Sequence, residues 1–405
     1  MITRETYLQT LRSYRDKDLI KVVTGIRRCG KSTLLAMYQQ ELLDSGVNSS
    51  HIQAINFEKP EHTVTLDWRA IYNSIVTKLV RDSRNYIFLD EIQNIPEFEH
   101  LANGLFVHPD IDLYITGSNA YFLSSKLATV LTGRYIEIKM LPLSFKEYVS
   151  AFNDDKSLEK RFTDYIEYGS FPYVAELLAT DTAEIEKYLA GIYDTALYKD
   201  ILAKLQPEDA TKIENVTHFM FDNIGNITSP SKISHTLTSM NQKVSHPTVD
   251  SYLQALTDCF VLYPVSRYDI RGKKLLQTLN KYYVVDTGLR TMLLGRGHIS
   301  DRGHILENIV FLELLRRNQN VWIGKENANE IDFIVRTKHG YTEYYQVAET
   351  MLGEETRQRE LRPLNNIADH NQKFIITMDH GEYSYDGIKQ VNVIDWLLGD
   401  NCKCP

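Results

Sequence analysis

The stretch Gly25-Ile26-Arg27-Arg28-Cys29-Gly30-Lys31-Ser32-Thr33 constrains this chain more than any other. An apolar run from Leu19 to Val23, broken only by Lys21, precedes it, and Leu34, Leu35 and Met37 follow. The context reads as strand, glycine loop, helix. The spacing G-x-x-x-x-G-K-[ST] has a physical reason at each position, because glycines let the backbone approach a phosphate and successive N–H groups wrap around it. Gly25, Gly30, Lys31, Ser32 and Thr33 are therefore the expected nucleotide contacts. Lys31 would reach the β- and γ-phosphates and the Ser32 hydroxyl would ligate Mg²⁺, so ATP and Mg²⁺ are the expected cofactors.

About 60 residues on, Tyr86-Ile87-Phe88-Leu89 runs into Asp90-Glu91. Four large apolar residues ending in two acids describe a buried parallel strand whose carboxylates emerge beside the phosphate site. Asp90 is expected to hold Mg²⁺ through water, and Glu91 to polarise the attacking water. The next strand, Leu113 to Gly117, ends in Ser118-Asn119, where P-loop ATPases of the AAA class keep a sensor. Asn119 is the first candidate and Ser118 the second, with an Asx turn as the competing reading. Leu131-Thr132-Gly133-Arg134 precedes the alternating Ile136-Glu137-Ile138. Arg134 is a candidate finger for the γ-phosphate, in cis or across a subunit boundary, set against a plain surface salt bridge.

A length of 405 residues points to two or three domains. With 43% hydrophobic and 24% charged residues the composition is that of a soluble globular protein. No apolar run approaches the ~18 residues that span a bilayer, and the polar start lacks a signal core, so a cytoplasmic protein without a membrane partner is expected. The four cysteines suggest no disulfide framework, and Cys402-x-Cys404 reads as an inert tail. A net charge of −8 argues against non-specific coating of nucleic acid but not against a local basic patch.

Periodicity divides the chain into a core at 1–150, a helical lid at 151–206, a winged helix at 207–290 and an α/β domain at 291–405. The lid breaks at Gly169 and Pro172. In the third segment Ser229-Pro230 and His246-Pro247 open two helices, and strands Phe260–Val265 and Lys281–Asp286 would form the wing. Between and beside those strands lie Arg267, Arg271, Lys273, Lys274 and Lys281 against Asp269, a sensible footprint for a DNA backbone. In the last segment a helix around Glu307, a strand with Asp332 and a strand with Gln346 follow the order of PD-(D/E)xK nucleases, whose acids bind Mg²⁺ and whose lysine activates water. The lysine position here is Ala348. An alanine carries no proton and no charge, so a fold kept for binding with its chemistry lost is expected.

Taken together, Gly25–Ser32, Leu89–Gln93, Thr116–Asn119, Leu131–Arg134, Pro142–Tyr148, Leu306-Glu307-Asn308 and Glu330–Phe333 give nearly the full chain a resemblance to prokaryotic AAA-type ATPases with a C-terminal domain of unknown function. The resemblance implies an α/β architecture: an AAA-type parallel sheet, a winged helix like that of archaeal origin-binding ATPases, and a restriction-endonuclease-like end. It implies Walker A contacts by Gly30, Lys31, Ser32 and Thr33 and Walker B roles for Asp90 and Glu91. The expected function is an ATP-hydrolysing, DNA-associated homo-oligomer, with branched and single-stranded DNA among the candidate partners. The alternatives are an ATP-regulated metal-dependent nuclease and a nucleotide switch that binds a protein.

Overall fold

The computed structural model describes residues 2–59, 67–120, 131, 133–196, 201–202, 210–297, 301–317, 320–326, 329–381 and 383–399, with the side chains of 277 and 278 excepted. Thr132, the Cys402-x-Cys404 pair and much of the end of the expected lid lie outside these residues. The chain forms two compact units, Met1–Pro142 with Asp258–Phe260, and Leu143–Thr257 with Val261–Pro405.

The first unit is built on a five-stranded sheet of β1 (Ile20–Thr24), β2 (Ile52–Asn56), β3 (Asn85–Asp90), β4 (Ile111–Gly117) and β5 (Tyr135–Lys139), in the order β2-β3-β4-β1-β5. Every pairing is parallel. β1, β3 and β4 are buried along their whole length, which explains why they read as near-continuous apolar runs. On one face Leu101, Ala102 and Leu105 of the helix Phe98–Phe106 pack with Ile87, Leu89, Leu113 and Ile115.

Lys21 interrupts the apolar run of β1 because it is paired inside the sheet. Its side chain is fully buried, as is that of Asp112, with which it makes an ion pair. Lys21 Nζ also donates to Lys17 O at 2.8 Å, and Asp112 accepts the Asp16 N–H and the Tyr114 hydroxyl. Burial holds the Lys21 pKa below the ordinary lysine range against the pull of Asp112.

The second unit begins at Leu143, a few residues before the boundary expected at 150. Ser144 and Glu147 form a capping box that starts the helix Phe145–Val149. Phe145 and Tyr148 then stack edge-on with Phe162 and Tyr165 of the helix Leu158–Tyr168, so this turn joins the aromatic core that follows it. Helices Ala210–Asp222, Pro230–Ser239 and His246–Asp258 occupy the expected winged-helix segment.

The hairpin after them departs from the expectation. β6 (Leu262–Asp269) and β7 (Lys274–Val284) are longer than a wing and belong to an eight-stranded mixed sheet with β8 (Asn320–Glu326), β9 (Asn329–Arg336), β10 (Thr342–Val347), β11 (Gln372–Thr377), β12 (Tyr383–Tyr385) and β13 (Ile388–Asn392). Its order is β12-β13-β11-β10-β9-β8-β6-β7. β6 pairs in parallel with β8, so the supposed wing is an edge of the C-terminal sheet. Residues 207–290 therefore do not close as a separate sheet-bearing domain. Among the described residues no helix is long and apolar enough to cross a membrane.

Lys21→Met should destabilise the protein by about 3–5 kcal/mol, because Asp112 is left buried without its counter-charge. Adding Asp112→Leu should restore most of that loss. Urea denaturation of the two variants measures both.

Candidate functional site

Parallel strands deliver their C-terminal ends to one edge of the sheet, and there the loop Gly25–Gly30 leaves β1 for the helix Lys31–Asp44. Gly25 has φ +149°, and a Cβ on it would stand 2.1 Å from the Met140 carbonyl oxygen, so no side chain fits. Gly30 has φ +105° and caps the helix in a left-handed conformation. Arg4 fastens the loop from behind, donating to Cys29 O at 2.9 Å and to Leu141 O at 2.7 Å. Lys31 is buried. Its Nζ donates to Gly25 O at 3.0 Å and Ile26 O at 3.3 Å, and lies 3.3 Å from Glu91 Oε1.

Asp90 and Glu91 leave β3 beside this lysine, held in different ways. The Thr116 hydroxyl donates to Asp90 Oδ1 at 2.6 Å and accepts the Glu91 N–H at 2.8 Å, locking the end of β3 to β4. Asn56 Nδ2 donates to Asp90 Oδ2 at 2.7 Å, and the Ser32 side chain also bonds Asp90. Burial pushes the Asp90 pKa up against those donors. Burial acts on Glu91 too, yet Lys31, Gln93 and Ser118 together hold its pKa below the ordinary range. The Ser118 hydroxyl donates to Glu91 Oε2 at 2.8 Å, and Gln93 Nε2 donates to the same oxygen. Glu91 adopts φ +53°, a left-handed conformation uncommon for a side-chain-bearing residue. Ser32 and Asp90 line a cavity of about 210 Å³ with Asn56 and Lys59. This donor set fits a magnesium nucleotide: a hydroxyl and a carboxylate for the metal, backbone amides and a lysine for phosphate.

Of the two sensor candidates, the structure brings Ser118 to Glu91, while Asn119 Nδ2 donates to Cys259 Sγ at 3.4 Å. Arg134 is far from the loop. Its carbonyl accepts the N–H of Ile20, at the opposite end of β1, and its guanidinium donates to Asn103 Oδ1 at 2.8 Å. A five-residue strand at about 3.3 Å per residue separates it from the phosphate loop by ~16 Å, which excludes a role in cis. Gln93 and Thr116 lie inside the motif stretches but have no role assigned to them there, and Asn56 lies outside every motif; all three are site residues. Gln93 stands two residues after Glu91, Asn56 ends β2 and Thr116 is the last residue but one of β4, so polarity at strand ends is the signal that could have found them.

In the second unit the nuclease-like residues do meet. Asn308, on the helix Arg302–Arg317, exchanges two hydrogen bonds with the Val284 backbone, and Phe311 stacks on Tyr283 at 4.5 Å. This seats Glu307 so that its Oε1 accepts the Tyr283 hydroxyl at 2.5 Å and Lys281 Nζ at 2.8 Å. Lys281 lies 2.8 Å from Glu330 Oε1 and 3.8 Å from Asp332 Oδ1. Asp332 Oδ2 accepts the Val347 N–H, and Gln346 accepts the Asp332 N–H and donates to Glu360. Burial and the charge of Glu307 push the Asp332 pKa well up, against the opposing pull of Lys281. Lys281 is thus not part of an exposed basic patch, contrary to what its place in the sequence suggests.

The remaining cations gather at the β6–β7 turn. Arg271, Lys273 and Lys274 are exposed, and Arg271 reaches Glu326 at 3.4 Å. Arg267 lies within β6 and is half-buried.

The AAA-domain match among the comparisons with known proteins agrees with the geometry of the phosphate loop. A family model described as an AAA domain matches residues 17–149, and one described as a domain of unknown function (DUF8612) matches 159–299. An AAA domain implies nucleotide binding, typically with Mg²⁺. The chain is similar to an uncharacterized protein of Haemophilus influenzae, 41% identical over 98% of this chain and 99% of that one. An uncharacterized Methanocaldococcus jannaschii protein is 26% identical over 93% of this chain and 85% of its own length. Among solved structures, a Walker-type ATPase of Pyrococcus abyssi aligns over 73% of this chain and 96% of its own, with 15% identity and a TM-score of 0.43. The extent of identity with the uncharacterized Haemophilus influenzae protein is decisive: this chain, which carries an AAA domain at residues 17–149, belongs to one family with it.

Proposed function

We propose that this protein binds and hydrolyses ATP with Mg²⁺, and that nucleotide state is coupled to self-assembly and to DNA binding. The observation that carries the reading is the convergence of Lys31, Ser32, Asp90 and Glu91 on the rim of one phosphate loop. Phosphate oxygens would compete with the Gly25 and Ile26 carbonyls for Lys31, drawing its ammonium away from Glu91. Ser32 and Asp90 would hold Mg²⁺, which supplies charge neutralisation when bound. Glu91, kept ionised and oriented by Ser118 and Gln93, would accept a proton from the water that attacks the γ-phosphorus as the bond to the β–γ bridging oxygen breaks and ADP leaves. Arg134 can act on a phosphate only if a neighbouring subunit presents it. That requirement ties hydrolysis to assembly.

DNA binding rests on the exposed Arg271, Lys273 and Lys274 at the β6–β7 turn. Three exposed cations at the tip of a hairpin match phosphate contacts, which position a protein without reading bases.

Glu91→Gln should retain ATP while lowering turnover by roughly 10²–10⁴-fold, and Lys31→Ala should weaken ATP binding itself. A steady-state phosphate-release assay with a fluorescent nucleotide titration separates the two, and an unchanged rate in Glu91→Gln would refute the assignment. Arg134→Ala should leave the affinity of dilute protein for nucleotide unaltered yet lower turnover where protein concentration favours assembly. Binding to single-stranded, duplex and four-way-junction DNA should decline with salt and respond to a non-hydrolysable ATP analogue. Replacing Arg271, Lys273 and Lys274 together by serine should reduce the salt slope by about 2–3.

A further inference from the structure

Three carboxylates of the C-terminal sheet converge on a single nitrogen. Lys281 Nζ is 2.8 Å from Glu307 Oε1, 2.8 Å from Glu330 Oε1 and 3.8 Å from Asp332 Oδ1, and its side chain is only 5% exposed. Lys281 reaches this point from β7, a strand remote in sequence from all three acids. An irregularity in the β6–β7 ladder sets its position: the register shifts between Val265 and Arg267, and Leu279 takes φ +67° just before Lys281. Such bulges re-aim the side chains that follow them.

Likeness to metal-dependent nucleases implies a divalent cation held by Glu307 and Asp332, and the residues present do not fit one. Mg²⁺ would need carboxylate oxygens at about 2.0–2.1 Å and several waters besides. Glu307 Oε1 instead accepts both Lys281 and the Tyr283 hydroxyl, and Asp332 Oδ2 accepts the Val347 N–H. Gln346 has both ends of its amide committed to Asp332 and Glu360. Lys281 Nζ already fills the point to which oxygens of Glu307, Glu330 and Asp332 turn, so a dication could take that point only by displacing it. In the present arrangement, with Lys281 among these acids, no group of histidine, cysteine, aspartate and glutamate among the described residues is set to hold a metal ion.

We propose that Lys281 is the resident cation of this cluster: its ammonium stands where Glu307, Glu330 and Asp332 would otherwise gather a divalent metal, and removing it converts the cluster into a metal site. The charge absent at Ala348 is thus present on another strand, in a place that suppresses metal-dependent cleavage. This assignment is independent of ATP hydrolysis in the other unit.

The test is Mn²⁺ binding by the full chain without nucleotide, read as loss of the free-ion electron paramagnetic resonance signal. Wild type and Asp332→Asn should take up Mn²⁺ alike. Lys281→Met should gain uptake at least about tenfold tighter than wild type, and Lys281→Met/Asp332→Asn should lose that gain. A folded Lys281→Met protein without the gain would overturn the proposal, as would wild-type uptake that Asp332→Asn removes. Lys281→Gln serves if the methionine variant does not fold. If neither folds, wild type against Asp332→Asn decides: an Asp332-dependent site, or Asp332-dependent DNA cleavage with Mn²⁺, overturns the proposal, and absence of both upholds it.

Discussion

All five strands of the N-terminal sheet run in one direction, and this constraint decides which residues can meet. The phosphate loop after β1, the two acids at the end of β3 and the serine after β4 are remote in sequence but leave neighbouring strands at the same edge. Arg134 precedes its strand and is therefore delivered to the other edge. Direction alone thus sorts residues that can share one phosphate site within a single chain from one that cannot. The cost of the arrangement is that β1, β3 and β4 are buried on both faces, so that the charges of Lys21 and Asp112 are held there as a pair.

Much of the first unit is legible in the sequence because its signals are local. A glycine loop between an apolar strand and a helix, and an apolar strand ending in two acids, each carry their meaning within ten residues. The choice between Ser118 and Asn119 is not local. Both are polar and adjacent, and only the turn of the chain after β4 determines that Ser118 faces Glu91 while Asn119 faces Cys259.

The second unit is harder to read for a topological reason. Strand alternation in β6 and β7 identifies a hairpin but cannot say whether it stands alone or joins strands that come sixty residues later. Its pairing with β8 is a long-range event, and so is the meeting of Lys281 with Glu330 and Asp332. A lysine in a basic stretch reads as surface charge, yet here it is the counter-ion of a buried acidic cluster. The motif Leu306-Glu307-Asn308 is informative for a reason its letters do not reveal: Asn308 binds the backbone of β7 and thereby sets Glu307 against Lys281.

The position of β7 at the end of an eight-stranded sheet also bears on how copies of the protein can associate. An open strand edge is a template for indiscriminate pairing with other chains. At the far end of the sheet β12 has only three residues, too few to recruit a partner strand effectively. On β7, Gly225 donates to the Tyr282 carbonyl and Thr228 donates to the Asn280 carbonyl, so the chain folds back over the inner half of that edge. The outer half begins at Lys274, next to Lys273 and Arg271, where like charges would oppose a second copy laid alongside. Sheet extension is thereby guarded at both ends of this sheet.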